Sequence, residues 1–278
     1  MENALKNQTI LITGITDQNS LALRIAEECK RQGATLICTG LGKSKFHSAL
    51  SENAQNYLER TFNDFTNTVK SVLGADTKTY VMDVSIQDSI NEFASTLASE
   101  GIELNGFLHS IAMDKTIRAG KVKPIMEVTR EEFMDAMNIS AYSMLAVIQS
   151  LYAAKRLAKQ ASLVALSYLG AEKIVSHPYK NIGIAKAALE RLIKELAIEL
   201  GKSDGIQVNG VRFSPYTASK AGGAIQGLEE AVKQCEELAP LGNANASDLA
   251  YEVVYLFRKN NRITGEIRHV DGGYHIRG

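Results

Sequence analysis

The sequence predicts an α/β protein: a single-domain, doubly wound parallel sheet of the Rossmann type, with helices on both faces, over residues 1–278. Three observations predict it. Short apolar, β-branched runs alternate with helical spacings along the whole chain. The first run ends at Gly14, in a strand-to-helix turn suited to a pyrophosphate. No internal repeat or low-complexity linker divides the chain, and none of its four prolines separates two halves.

The elements follow in order. Residues 9–13 (Thr-Ile-Leu-Ile-Thr) read as a buried strand that Gly14 stops. Residues 20–32 carry Leu21, Ile25, Ala26 and Cys29 on one helical face, and Gly33 closes that helix. The second strand covers 35–38. Residues 43–76 are mostly polar, with only a loose helical pattern from Phe46 to Val69. A third strand over 79–82 ends in Asp83-Val84, and a helix covers 85–98. A fourth strand covers 106–110. One long helix is expected over 131–154, a strand over 162–166 and a helix through 185–200. Strands over 207–213 and 265–270 flank a helix at 248–257. Strands alternating with helices call for right-handed βαβ crossovers, which place a ligand at the carboxyl ends of the strands.

Bulk composition excludes several classes. Lys plus Arg and Asp plus Glu number 31 each, so no basic excess marks a nucleic-acid binder. No apolar run approaches the roughly 18 residues of a membrane span. Residues 1–7 lack the apolar stretch of a signal peptide. Cys29, Cys38 and Cys235 stand far apart, as suits buried thiols in a reducing compartment. A cytoplasmic protein is expected. The five histidines show no metal-ligand spacing, so no metal is expected. The absence of a Gly-x-Ser-x-Gly elbow argues against an acyl hydrolase.

The first turn, Gly14 to Ala22, lacks the three-glycine dinucleotide fingerprint. Its glycine permits close backbone approach, and Ser20 is placed both to cap the helix and to reach a phosphate oxygen. Asp83 ends the third strand, where its carboxylate can accept from an adenine amino group. His109-Ser110-Ile111 ends the fourth, beside the cofactor path. No carboxylate follows the second strand to bind a ribose 2′-hydroxyl, and Lys43 and Lys45 are placed for a 2′-phosphate. Both NAD(H) and NADP(H) therefore stay open.

Six residues separate Tyr179 from Lys186. On a helix that is nearly two turns, so the two side chains share a face about 10.5 Å apart along the axis. The lysine can hold a cofactor ribose while the tyrosine hydroxyl reaches further out. A nearby lysine also favours tyrosinate. With Pro178 starting the helix, Tyr179 sits in its first turn.

At these residues the chain resembles the bacterial type II enoyl-acyl-carrier-protein reductases, the NADH-dependent divergent branch of the short-chain dehydrogenase/reductases. The likeness runs nearly end to end. Its specific parts are Ser167-Tyr168-Leu169-Gly170-Ala171-Glu172 and the Tyr-x6-Lys spacing. Ordinary ketoreductases of that superfamily place tyrosine four residues before the lysine, where this chain has Ile182. The resemblance implies hydride transfer from the nicotinamide to the β-carbon of a trans-2-enoyl thioester in fatty acid synthesis. Tyr179 would bind the enolate oxygen, Lys186 the nicotinamide ribose, and Tyr168 would stand near the acyl chain. Gly14, Ser20, Leu21, Asp83, Val84, Ser110, Ile111 and Ile139 match cofactor-contacting positions. NAD(H) is the implied cofactor, acyl-carrier protein the implied partner, and a homotetramer the implied assembly. Residues 218–238, with Gly222-Gly223 and Gly227, would form a mobile helix over the acyl pocket.

The chain also departs from that family. Residues 43–76 are longer, and one extra residue lies between Tyr168 and Tyr179. Asp114 stands near the thioester, where a carboxylate opposes a developing enolate unless it faces solvent. The Gly-Pro-Ile-x-Thr motif reads Ser214-Pro215-Tyr216-Thr217-Ala218. Two alternatives stay open: a reductase of another conjugated carbonyl, and a non-catalytic NAD(P)H sensor.

Overall fold

Seven parallel strands form one sheet, and their short β-branched runs dictate it. In the computed structural model, β1 is Thr9–Thr13, β2 Thr35–Gly40, β3 Lys78–Val81 and β4 Leu104–His109. A two-stranded antiparallel pair, β5 (Ile117–Arg118) with β6 (Lys121–Val122), follows, which no sequence signal marked. Then come β7 (Leu157–Ser167), β8 (Gln207–Phe213) and β9 (Ile267–Val270). The order across the sheet is β3-β2-β1-β4-β7-β8-β9. The structure describes residues 3–118, 121–218, 227–259 and 261–277. The expected hinge at Gly222-Gly223 lies outside them.

Helices cover both faces. They are α1 (Leu21–Arg31), α2 (Glu52–Leu73), α3 (Gln87–Ser99), α4 (Arg130–Met137), α5 (Ser143–Ala153), α6 (Lys180–Asp204), α7 (Leu228–Leu238) and α8 (Ala246–Phe257). Alternate residues of β1 show how the two cores divide. Ile10 and Ile12 pack with Ile25 of α1, Val69 of α2 and Val253 of α8. Leu11 packs on the other face with Phe93 of α3, Val147 of α5 and Leu189 of α6. Period-2 alternation forces this split. Each fully buried aliphatic side chain contributes about 1.5–3 kcal/mol before entropy is charged against it.

Two expectations are corrected. The loose 43–76 pattern is a single-turn helix at Lys45–His47 followed by the 22-residue α2, whose Leu58, Phe65, Val69 and Leu73 supply the buried stripe. The expected single helix over 131–154 is two helices joined by a π-helical turn at Asn138–Tyr142. There the Ser140 hydroxyl accepts from the Met113 N–H at 2.9 Å and donates to its carbonyl at 3.1 Å. Widened turns of this kind recur at functional sites. Among the described residues no helix is long and apolar enough to cross a membrane.

The strand order reverses between β1 and β4. The loops leaving these strands diverge to opposite sides, which opens a crevice at their carboxyl ends.

Candidate active site

A cavity of about 440 Å³ occupies that crevice. Of the residues expected from sequence, Gly14, Ser20, Leu21, Ser110, Ile111, Tyr168, Tyr179 and Lys186 line it. Asp83, Val84 and Ile139 do not.

Gly14 has φ +88°, and a Cβ there would collide with the Ser110 carbonyl oxygen. The loops after β1 and β4 therefore meet backbone to backbone, as a dinucleotide crevice needs. Ser20 precedes α1, but its hydroxyl caps no helical N–H. It accepts instead from the N–H groups of Thr16 and Asp17, both at 2.9 Å, and donates to the Asp17 carbonyl at 2.8 Å. The expected helix cap is thus a turn lock, because the loop folds back onto the hydroxyl first. Opposite, the Tyr216 hydroxyl donates to the Asn19 carbonyl at 3.1 Å and bridges the loops after β1 and β8.

Lys186 lies in α6, 4% exposed. Its ammonium donates to the carbonyls of Leu166 (2.8 Å) and Ile111 (3.1 Å), at the ends of β7 and β4. Burial pulls its pKa down to about 8, against the opposing pull of Glu190. Beneath it, His109 is fully buried and its Nε2 is 2.8 Å from the Ser143 hydroxyl. Burial, then the charge of Lys186, drops the His109 pKa to about 3, so this ring is neutral.

Tyr179 sits one residue before α6, not in its first turn; the helix begins at Lys180. Its ring stands edge-on to Tyr168, with centroids 5.1 Å apart. Gly170 makes room for it, since a Cβ there would strike the Tyr179 ring. Burial raises the Tyr179 pKa and Glu190 adds to the rise. The expected tilt toward tyrosinate is not found: desolvation of a phenolate outweighs the lysine. A protonated phenol is the form that can donate to an oxyanion.

Behind this pair lies a buried ionic knot with no single motif to announce it. Arg212 of β8 donates to Glu190 through Nε (2.8 Å) and Nη2 (2.5 Å), and through Nη1 to Glu172. Ser167 donates to Glu190 at 2.6 Å.

Two further polar residues line the cavity, with their unpaired atoms buried away from it. Asp114 is 8% exposed, so the solvent-facing alternative is wrong for it. Its Oδ1 accepts from the Thr116 N–H at 2.8 Å, while Oδ2 is buried with no hydrogen bond among the described residues. His177 is 3% exposed, and neither ring nitrogen has a hydrogen-bond partner among the described residues. It packs between Tyr168 (5.4 Å) and Tyr179 (5.8 Å).

On the far side, the Asp83 carboxylate is engaged by His47 Nε2 at 3.1 Å and by the Ser85 N–H and hydroxyl. Lys45 pairs with Glu92 at 3.0 Å and Lys43 approaches Glu59 at 3.9 Å. Near the C-terminus the turn after β9 brings His269, Asp271 and His275 within 4.8 Å, a grouping that linear spacing did not suggest. The carboxylate accepts from the Gly273 and His275 N–H groups, and the two imidazoles stack at 3.8 Å. Parallel rings cannot aim both lone pairs at one ion, so this is a turn lock.

The residues present fit a nicotinamide dinucleotide. The close approach at Gly14 leaves backbone N–H groups at the amino end of α1 for a pyrophosphate, and the buried ammonium of Lys186 suits ribose hydroxyls.

Comparison with known proteins agrees. A family model described as enoyl-(acyl carrier protein) reductase matches residues 14–275. The NADH enoyl-acyl-carrier-protein reductase of Bacillus cereus is 31% identical over 276 residues, covering 99% of each chain. The NADPH enzyme of Staphylococcus aureus is 30% identical, covering 98% of each. The crystal structure of the NADH enzyme from Aquifex aeolicus superposes with a TM-score of 0.82 at 31% identity, covering 99% of each chain. On these grounds the chain belongs to the enoyl-acyl-carrier-protein reductase family.

Proposed function

We propose that Tyr179, Lys186 and Tyr168 carry the chemistry of an NAD(P)H-dependent enoyl-acyl-carrier-protein reductase of fatty acid synthesis, with NADH the preferred donor. The reaction saturates the trans-2 double bond of an enoyl thioester. When bound, the nicotinamide supplies the hydride to the β-carbon. The single observation that carries the reading is that Tyr179 and Lys186 line one cavity with Gly14 and Ser110 at the reversal of strand order.

Each residue has a physical task. The Tyr179 phenol donates to the thioester oxygen, where charge accumulates in the transition state, so its hydrogen bond is strongest there. The buried ammonium of Lys186 holds the nicotinamide ribose and fixes the ring's distance from the substrate. Tyr168 packs against the Tyr179 ring and fixes its approach. The apolar walls, with Ile111, Ile182 and Leu228, exclude water from the forming enolate. Gly14, Ser20, Leu21, Ser110 and Ile111 would border the pyrophosphate and nicotinamide and Asp83 and Val84 the adenine, while Ile139, whose carbonyl accepts from Ser143 at 2.7 Å, backs the end of β4 beneath the nicotinamide.

Lys43 and Lys45 already face acidic partners, which supports NADH over a donor with a 2′-phosphate. The reading includes delivery of the acyl group by acyl-carrier protein in a type II system, a cytoplasmic setting and a homotetramer; light scattering tests the last. The experiment for the activity is the fall in nicotinamide absorbance with crotonyl and dodecenoyl thioesters, run with NADH and NADPH. Rapid oxidation of NADH is expected. Bound cofactor with no oxidation on any enoyl thioester would refute the activity.

A further inference from the structure

A carboxylate that ends a strand just before a helix is well placed to cap that helix. Asp83 does not cap α3. The residue at the cap of α3 is Ile86, and no side chain there accepts from the helix. The Asp83 carboxylate is held from two other sides. Its Oδ1 accepts from the Ser85 N–H (2.8 Å) and hydroxyl (2.6 Å), and its Oδ2 meets His47 Nε2 at 3.1 Å. The other ring nitrogen fixes the direction of that contact. The Ser44 N–H and hydroxyl lie 3.1 and 3.0 Å from His47 Nδ1. A backbone N–H can only donate, so Nδ1 accepts, the ring proton sits on Nε2, and Nε2–H donates to Asp83.

His47 arrives there on the single-turn helix after β2, which reaches the end of β3 because the two strands pair side by side. The imidazole side chain is 5% exposed and the carboxylate side chain 16%. The ring therefore backs Asp83 from the inside, and the carboxylate keeps an outward edge. A carboxylate offers about four acceptor positions. Ser85 fills two on Oδ1 and His47 one on Oδ2, which leaves one open on Oδ2. β3 is the edge strand on the β1 side of the crevice, the side the adenosine half takes in the proposed reading.

We propose that His47 is a positioning residue for base selection: it aims Asp83 Oδ2 at the exocyclic amino group of the adenine, so that the chain selects a dinucleotide whose second base donates at that point. The proposal rests on the NAD(P)H reading and deepens it by assigning a task to His47. An amino group donates into the open position on Oδ2, whereas a base with a carbonyl there sets acceptor against acceptor. Among the described residues His47 is the donor that holds Oδ2. Without it the carboxylate is tethered at Oδ1 alone, free to turn its open edge away from the base.

The test reads binding, with no acyl substrate present. Nicotinamide fluorescence is titrated with NADH and with its reduced hypoxanthine analogue, in which the exocyclic amino group is a carbonyl. The wild-type chain should bind NADH about ten- to hundredfold more tightly, the span of one hydrogen bond to a charged group. Asp83→Asn offers a donor and an acceptor alike and should bring the ratio toward one. His47→Leu should bring it within about threefold of one, while His47→Gln, whose amide still donates, should restore most of it. Each ratio is taken within one protein, so partial misfolding does not alter it. A wild-type ratio near one overturns the proposal, as does a ratio that survives Asp83→Asn. A His47→Leu chain that binds both dinucleotides more weakly by the same factor marks His47 as a mere fastener of its turn and overturns the proposal too. NADH bound with the expected ratio yet oxidised on no enoyl thioester sinks the reductase reading alone and leaves the base selection standing.

Discussion

Replacing Tyr179 by Phe isolates one hydroxyl. The ring should keep its place, because it is held edge-on by Tyr168 at 5.1 Å and His177 at 5.8 Å, with room left by Gly170. The proposed cofactor contacts lie elsewhere, on Gly14 and Lys186, so NADH affinity should stay within about twofold. What is lost is a preorganised donor in a water-poor site. Removing one such donor lowers kcat by about 10²–10³, or roughly 2.7–4 kcal/mol in the barrier. The raised pKa of Tyr179 makes the loss independent of pH through the neutral range, since the wild-type phenol is protonated throughout. The assay is steady-state turnover of dodecenoyl thioester, with NADH binding followed separately by nucleotide fluorescence. A kcat within about threefold of wild type would refute the donor role. The next candidate would then be Tyr168, whose pKa burial also raises.

Lys186 gives a pH prediction with two opposite signs. Its folded pKa of about 8 lies below the ordinary 10.5, so between these values the unfolded chain holds the extra proton. Stability from this group therefore rises with pH across that window, while the ammonium that holds the ribose is lost; KM for NADH should climb above about pH 8 with no fall in melting temperature. Lys186→Ala should weaken NADH binding about 10–100-fold as well as slow turnover, and an effect on kcat alone contradicts the ribose role. Arg212→Met strands the buried Glu190 carboxylate and should cost about 3–5 kcal/mol, read as a shifted urea midpoint. Gly14→Ala should abolish cofactor binding or folding, because its Cβ meets the Ser110 carbonyl at a positive φ; normal NADH affinity would disprove the close approach.

The sheet was legible because its signals are local. Thr9–Thr13 and Gln207–Phe213 are runs that can only be buried, and the bounds found match those expected. The Tyr179 and Lys186 pair was legible because helical spacing brings such residues together without tertiary help. What escaped the sequence depends on contacts across it. His47 and Asp83 are 36 residues apart, and only the register of β2 with β3 makes them neighbours. The break at Asn138–Tyr142 was invisible because its cause, the grip of Ser140 on the Met113 backbone, lies 27 residues away. Ser20 was misassigned because a hydroxyl before a helix has two kinds of partner, and sequence does not say which arrives first.

Taken together, the polar groups around the cavity divide by how they are satisfied. Arg212, Glu190 and Ser167 pair among themselves, so they stiffen β8 against α6 and ask nothing of a ligand. Lys186 pairs with two carbonyls that end strands, an arrangement that holds a cation yet leaves a third donor position for a ribose. His177 and Asp114 Oδ2 pair with nothing described. Stability alone would have favoured apolar side chains at both positions, since an unpaired buried polar atom costs about 1–3 kcal/mol. The graded satisfaction therefore separates the scaffold of Arg212, Glu190 and Ser167, whose partners are all internal, from Lys186, whose ammonium keeps a donor for the proposed ribose contact.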